Sequence, residues 1–424
     1  MVPQKGKDIL IAGLDIGSTS VRMAVGQLLH GADGKGLHIL GTAEVGSEGI
    51  HKGAITSIED AVSSVSACLE KMERSIGAPI DRVWVGVNGH EIMTSGNKGV
   101  VAIARGNGEV TDEDVSRVVE AAKTIATPLN FEILHVIPRF FRVDGSNPIK
   151  DPVGMSGVRL EVDALIVQAS SAHIRNISKA VYRTGLEIHD MVLSLLAACE
   201  VVTSERARDM GVVVLDVGAA TTSMVVMEGG DVIHAAFIPI GSEHITADLA
   251  IGLRTSIEIA HSVKIKDGTA HVKGLTKRDE IDLYEHGSPN HEKIPRKYIA
   301  EIIEARVEEI FQKVEEELKS IGRDGMLPAG IVCIGGGSKI HGLLDVAKRT
   351  LRLPASLGYP MSITSVTDSV NDVGFSNVIG LVKWGYDIVG AQVSQPKWSK
   401  VVNKISEGAG SLDTVKKWIK SLLP

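Results

Sequence analysis

Thiol chemistry has little to work with in this sequence. Its three cysteines, Cys68, Cys199 and Cys333, stand far apart among 424 residues and show no Cys-x-x-Cys spacing. That argues against a disulfide framework or a thiolate zinc site and fits a reducing cytosol. An excess of positive charge is also missing. With a formal net charge of -7 the chain lacks the large basic face of a general nucleic-acid binder. No apolar run is long enough to cross a bilayer, and Met191–Cys199 reads instead as a buried helix. The first apolar run, Ile9 to Leu14, is too short for a signal peptide and ends at Asp15. Any membrane contact must therefore lie on the surface of the bilayer.

What is present is globular. Apolar residues make up 44% and charged residues 23% of the chain, and the length suits two to four sub-domains. One pattern occurs twice, about half a chain apart. Residues 9–26 run from a β-branched apolar stretch through Asp15-Ile-Gly17-Ser18-Thr19 into a second apolar stretch. Residues 211–227 do the same through Asp216-Val-Gly218-Ala219-Ala220-Thr221-Thr222. Each predicts a β-hairpin with a small-residue turn, and the repeat predicts two related halves. Small residues let backbone amides approach phosphate oxygens. Asp15 and Asp216 would not touch those anions; they would hold a magnesium ion through its waters. A third segment, residues 330–345, reads as a buried strand, the glycines Gly335, Gly336 and Gly337 with Ser338, then an amphipathic helix. Such a junction suits the approach of a ribose or base.

In this order the three segments resemble the phosphate-1, phosphate-2 and adenosine motifs of the actin-like ATPase superfamily. The resemblance implies a duplicated α/β, ribonuclease H-like fold whose halves clasp ATP and Mg2+. It makes Met191–Thr203 and Val373–Gly385 the connecting helices at the hinge. The nucleotide would meet Asp15, Gly17, Ser18 and Thr19, then Asp216, Gly218, Thr221 and Thr222, then Gly335, Gly336, Gly337 and Ser338, together with Lys264. Further stretches narrow the likeness: Gly49-Ile-His-Lys-Gly-Ala-Ile, residues 83–89, Leu134-His-Val-Ile-Pro, residues 147–160 with Asp-Pro-Val-Gly-Met-Ser-Gly-Val, and Ile302-Ile-Glu-Ala-Arg. They resemble the FtsA cell-division family, from about residue 9 to the C-terminal segment.

That likeness implies a division of the chain. Residues 1–84, 163–195 and 356–390 would form subdomain 1A, with 85–162 the inserted subdomain 1C characteristic of the family. Residues 196–245 and 320–355 would form subdomain 2A, and 246–319 subdomain 2B. Residues 391–410 would be a flexible linker, and 411–424 an amphipathic helix. Thr111-Asp-Glu-Asp independently predicts a helix N-cap inside the insert.

The polar, Pro- and Gly-containing stretch 392–410 reads as a linker. In the segment after it Ser411 is a plausible N-cap. Leu412, Val415, Trp418, Ile419, Leu422 and Leu423 fall on one helical face, with Lys416, Lys417 and Lys420 on the other. Such a helix often docks on protein. Its position after a solvated linker, and its pairing of lysines with a tryptophan, favour an anionic membrane surface. Each lysine there contributes about 1 kcal/mol, so firm attachment needs many tails on one polymer.

Residues Tyr298–Leu318 predict a long helix with Ile299, Ile303, Val307, Ile310, Val314 and Leu318 as its buried stripe. The FtsA resemblance implies that this region binds the C-terminal peptide of the tubulin-like FtsZ, with Arg296, Lys297, Glu304 and Arg306 as contacts. It also implies self-association into filaments, downstream division partners, and a place on the cytoplasmic face of the membrane at midcell.

Two departures bear on the chemistry. The family's second phosphate loop usually runs Asp-x-Gly-Gly-Gly-Thr-Thr-Asp; here Ala219, Ala220 and Ser223 replace two glycines and the last carboxylate. A methyl group disfavours positive φ and crowds a phosphate. The family's Ala-Glu-x-x-Lys is here Ala260-His261-Ser-Val-Lys264, and His261 could accept through one ring nitrogen. The expectation is nucleotide binding without rapid hydrolysis and no assigned catalytic residue. A sugar or carboxylate kinase, and a pilus-assembly adaptor, share the superfold. No acceptor-side base stands out for the first, and neither needs the terminal helix.

Overall fold

The computed structural model describes residues 10–393 apart from 32–33, 90, 105–107, 125–127, 277 and 362. The residues expected to touch membrane, 412–423, and residues 394–410 of the linker lie outside these.

The chain opens with β1 (Leu10–Ile16), β2 (Ser20–Gly31) and β3 (Gly34–Gly46), then the small hairpin β4 (Ile50–His51) and β5 (Ala54–Ile55). Helix α1 (Ile58–Ile76) follows; Ser57 caps its start and Gly77, left-handed at φ 69°, ends it. Its buried stripe, Ala61, Val65, Cys68 and Met72, repeats at helical spacing and faces the sheet. Strand β6 (Arg82–Val87) leads to an inserted unit: β7 (Ile92–Ala102), α2 (Asp112–Ala122), β8 (Phe131–Val143) and β9 (Arg159–Ser170). The half resumes with α3 (Ser171–Tyr182), β10 (Glu187–Leu193) and α4 (Ser194–Val202). After α5 (Glu205–Met210) come β11 (Val212–Val217), β12 (Thr222–Glu228), β13 (Asp231–Ile238), α6 (Ser242–Leu253) and α7 (Ile257–Asp267). A two-stranded ribbon, β14 (Glu280–Asp282) and β15 (Lys293–Pro295), precedes the long α8 (Arg296–Ser320). Strand β16 (Gly330–Ile334), α9 (Leu343–Leu351), β17 (Ala355–Leu357), β18 (Thr364–Ser365) and α10 (Ser376–Val393) complete the described chain.

The two main sheets repeat one plan. The first runs β10-β6-β1-β2-β3-β18 and the second β17-β16-β11-β12-β13. Both opening hairpins are antiparallel, and the strand on the other side of each is parallel: β6 beside β1, β16 beside β11. Strands β1 and β11 are central and therefore apolar on both faces, which is why their sequences run without alternation. The expected hairpins over both Asp-x-Gly segments are thus present.

Three expectations move. Met191–Leu193 close β10, in register with Val85–Val87, and the helix expected from Met191 begins at Ser194. An unalternating apolar run fits a buried strand as well as a helix. The second hinge helix starts at Ser376, after a 3-10 turn at Val373–Phe375, and continues to Val393. The triple glycine enters a 3-10 turn at Gly336–Lys339, and the amphipathic helix begins only at Leu343. The helix expected at Tyr298–Leu318 is α8, one turn longer, with all six stripe residues buried.

The insert forms a three-stranded sheet, β7-β9-β8, with α2 on one face. Strand β6 stays in the main sheet to Val87 and β9 runs to Ser170, beyond the expected limits of 85 and 162. Thr111 caps α2 as expected: Asp114 N–H donates to its Oγ1 at 3.3 Å and Thr111 N–H donates to Asp114 Oδ2 at 3.0 Å, a capping box. The insert also touches both halves. Leu193 N–H donates to His135 Nε2 at 2.9 Å, and burial pulls that imidazole down to about 4, so it stays a neutral acceptor. From the other side, Thr94 Oγ1 donates to Ala235 O at 2.7 Å and Arg139 Nη1 to Ile233 O at 3.2 Å. Both carbonyls belong to β13, the outermost strand of the second sheet, so the insert covers an edge that would otherwise be open.

Candidate functional site

Between the halves lies a cavity of about 690 Å³. The two hairpin turns face it with one geometry. Gly17 N–H donates to Ser20 O at 3.1 Å, and Gly218 N–H donates to Thr221 O at 2.9 Å. Strand register matches as well: Asp15 pairs Arg22 where Asp216 pairs Ser223. Asp15, Gly17, Ser18, Thr19, Asp216, Gly218, Thr221, Lys264, Gly335, Gly336 and Gly337 all line the cavity. The structure therefore gathers eleven predicted residues from four separated segments.

Two predicted contacts do not face it. Thr222 is fully buried and its Oγ1 donates to Ile240 O at 2.8 Å. Ser338 is buried and its Oγ donates to Gly335 O at 2.7 Å. Each hydroxyl is used to satisfy a nearby carbonyl, a common fate of Ser and Thr beside turns. Lys264 lines the cavity but is nearly buried, and its Nζ donates to Ser242 O at 3.0 Å. Burial lowers its ammonium below the usual range, while the charge of Glu243 works against that.

The alanines of the second loop cause no backbone strain, because neither Ala219 nor Ala220 adopts positive φ. Instead the start of α6 docks on the loop: Ser242 N–H donates to Gly218 O at 2.9 Å and Glu243 N–H to Ala219 O at 2.7 Å. The third loop is where glycine is indispensable. Gly335 has φ 85°, and a Cβ there would lie 2.1 Å from Asp216 Oδ1.

The residues that hold the two aspartates escaped the sequence reading. Asn88 Nδ2 donates to Asp15 Oδ1 at 2.7 Å, and Ser194 Oγ donates to the same oxygen at 3.1 Å. Asn377 Nδ2 donates to Asp216 Oδ2 at 2.7 Å. Asn88 follows β6, while Ser194 and Asn377 begin α4 and α10, so no local spacing announces them. Burial raises the Asp15 carboxyl, opposed by Arg22 and these hydrogen bonds. Burial also pushes Asp216 up to about 6; the charge of Asp15 adds to this, while the Asn377 bond and Arg22 oppose it. Burial, with the charge of Lys264, holds His261 low, leaving a neutral ring able to accept a hydrogen bond at the cavity wall.

The four residues expected to meet a partner peptide lie in the first half of α8. Arg296 approaches Asp267 at 3.7 Å and Lys297 approaches Glu301 at 3.8 Å. Glu304 pairs with Arg349 at 2.9 Å. Arg306 grips Asp248 with two bonds, at 2.6 and 2.9 Å, and also pairs with Glu309.

Comparison with known proteins agrees with this architecture. A family model described as "Cell division protein FtsA" matches residues 213–380, and one described as "SHS2 domain inserted in FTSA" matches residues 89–168, the inserted unit. The "Cell division protein FtsA" of Pseudomonas aeruginosa is 32% identical over 98% of this chain and 98% of its own. That of Bacillus subtilis is 36% identical over 88% of this chain and 83% of its own. Among solved structures, a PilM-PilN type IV pilus biogenesis complex superposes with a TM-score of 0.63 at 15% identity, covering 88% of this chain and 98% of that one. MreB5 of Spiroplasma citri bound to ADP gives 0.52 at 14% identity, covering 91% and 99%. These distant structures establish the actin-like fold, and the full-length relatives decide within it: the chain belongs to the FtsA family of cell-division proteins.

Proposed function

We propose that this chain is an ATP-binding division protein that polymerises on the cytoplasmic face of the cell membrane and anchors the FtsZ ring to it at midcell during septum formation. The observation that carries the reading is the cleft, in which two like Asp-x-Gly turns and a glycine-rich third loop converge. Backbone amides of the small-residue turns would cradle the phosphates. Asp15 and Asp216 would hold a hydrated Mg2+ through water. The fit is chemical: burial raises both carboxyls, the charge of Asp15 raises Asp216 further, and a divalent cation would relieve them. Among the described residues no group of three or more His, Cys, Asp and Glu side chains could hold a metal, so phosphate oxygens and water would complete the shell.

Ser223 stands where the family's second loop usually carries its last carboxylate, so hydrolysis would be slow and the nucleotide would act as a clasp or a polymerisation switch. No helix among the described residues is long and apolar enough to cross a membrane. Attachment would come from Leu412, Val415, Lys416, Lys417, Trp418, Ile419, Lys420, Leu422 and Leu423 lying on an anionic surface. The first half of α8, with Arg296, Lys297, Glu304 and Arg306, would take the FtsZ C-terminal peptide, and further division proteins would assemble on the polymer.

Vesicle sedimentation tests the proposal. With MgATP the full chain should pellet with anionic vesicles, and a chain lacking residues 411–424 should stay in the supernatant. Equal pelleting of both, or no pelleting of either, would refute it.

A further inference from the structure

The motif Leu134-His-Val-Ile-Pro lies on β8 of the insert, and a β-bulge decides which way its histidine faces. Ile133 pairs with Gln168 of β9, and the next pair is His135 with Val167, so Leu134 is the extra residue. In a regular ladder His135 would oppose Ile166 and share its face, which packs with α2 in the insert's own core. The bulge turns His135 to the opposite face instead. That face carries Ile137, Leu165 and Val167, which pack into the large core around the first sheet. Re-aiming one side chain is a common use of a bulge.

What the imidazole meets there leads to the cleft. Strand β10 is an outer strand of the first sheet, and an N–H on its open side must find a partner outside the sheet. His135 Nε2 accepts the Leu193 N–H at 2.9 Å. The ring of Trp384, from α10, meets the imidazole edge-on with centroids 6.2 Å apart, so packing holds the imidazole in place. Ser194, joined to Leu193 by one rigid peptide plane, is fully buried, and its Oγ donates to Asp15 Oδ1 at 3.1 Å. The other donor to that oxygen is Asn88 at 2.7 Å, where the chain leaves β6 for the insert. Both donors to Asp15 thus stand where the insert is attached to the first half. On its other side the insert is held by β13 of the second half, through Thr94 and Arg139. A shift of the insert between the halves would pull on the Leu193 N–H, and with it on Ser194.

We propose that His135 is a positioning residue for the nucleotide site: through Leu193 and Ser194 it orients the Asp15 carboxylate, and so ties the seating of the insert to the affinity for magnesium–nucleotide. This rests on the nucleotide reading of the cleft given above. His135 touches neither nucleotide nor ion in this role.

The test is calorimetric titration of the full chain with ATP, in Mg2+ and in EDTA. His135→Leu keeps the bulk but offers no acceptor. It should weaken MgATP about tenfold, as loss of an outer-shell partner of a metal site commonly does, and leave Mg-free ATP unchanged, because Asp15 acts through the ion. His135→Gln, which can still accept the Leu193 N–H, should bind MgATP like the unaltered chain. Ser194→Ala should cost as much as His135→Leu, and the double variant no more than either alone, since both cut one path. If His135→Leu does not fold, His135→Asn, too short to reach Leu193, takes its place with the same expected losses. Unchanged MgATP affinity, equal weakening with and without Mg2+, or losses that multiply in the double variant overturn the role of His135 alone. Failure of the unaltered chain to bind MgATP overturns the nucleotide reading itself.

Discussion

Asn377, the second residue of α10, donates its amide to the carboxylate of Asp216 at 2.7 Å. The helix packs on β1 and β2 of the first half, whereas Asp216 ends a strand of the second. One hydrogen bond thus joins the halves at the floor of the cleft. That amide orients the Asp216 carboxylate, as Asn88 and Ser194 orient Asp15, before any ligand arrives.

Asn377→Ala should therefore loosen the site rather than the fold alone. Leaving a buried carboxylate without its donor costs about 1–3 kcal/mol. Nucleotide affinity should fall by about one order of magnitude, with increased hydrogen exchange at the start of β12. Titration calorimetry and exchange mass spectrometry check this. Unchanged affinity would show that the bond is incidental to the site.

Asp216 predicts a pH dependence. Its folded-state pKa, about 6, lies above the ordinary aspartate value of 3.8. Its favourable contribution is therefore fully present below pH 3.8 and is lost as pH rises through about 6. Asp216→Asn should consequently stabilise the nucleotide-free protein at pH 8, by at most about 3 kcal/mol and by less where water enters the cleft. The gain should vanish near pH 4, and the same variant should lose Mg-dependent nucleotide binding. Thermal denaturation at several pH values measures the first effect, and a loss of stability at pH 8 would contradict it.

The insert depends on a buried acid. Asp114 accepts from Thr111 N–H at 3.0 Å and Ala104 N–H at 3.2 Å, and it pairs with Arg117. Although burial opposes it, this set of donors draws the carboxyl down to about 2. Asp114→Ala removes the capping partner and strands its donors, at a cost of about 2–4 kcal/mol. Unfolding should begin in residues 92–170 and leave the main sheets intact. Proteolysis mapped by mass spectrometry would show cuts confined to that region; cuts spread evenly along the chain would argue against an independently stabilised insert.

How much of this was legible beforehand follows from where each signal resides. The turns at Asp15 and Asp216 are local patterns, so their strands and their facing of the cleft could be read from sequence. The six apolar residues of α8 repeat at helical spacing and were equally plain. Asn88, Ser194 and Asn377 act through contacts 73, 179 and 161 residues away, and nothing near them marks their role. Thr222 and Ser338 have the right type and position, yet their hydroxyls turn to neighbouring carbonyls. Met191–Leu193 could not be assigned by periodicity, because only pairing with β6 makes them strand. Of the two grounds for concern over Ala219 and Ala220, positive φ is not adopted by the backbone, whereas crowding of a phosphate by their methyl groups stands as an expectation.

The central claim is that a nucleotide-clasping body and a lipid-binding end segment together hold FtsZ at a membrane. Its most direct test mixes fluorescent FtsZ, MgGTP and anionic vesicles with the full chain, with a chain lacking residues 411–424, or with neither. The account predicts FtsZ on the vesicle surface only with the full chain and ATP. FtsZ that stays in solution in its presence, or that coats vesicles equally well with the shortened chain, would contradict it.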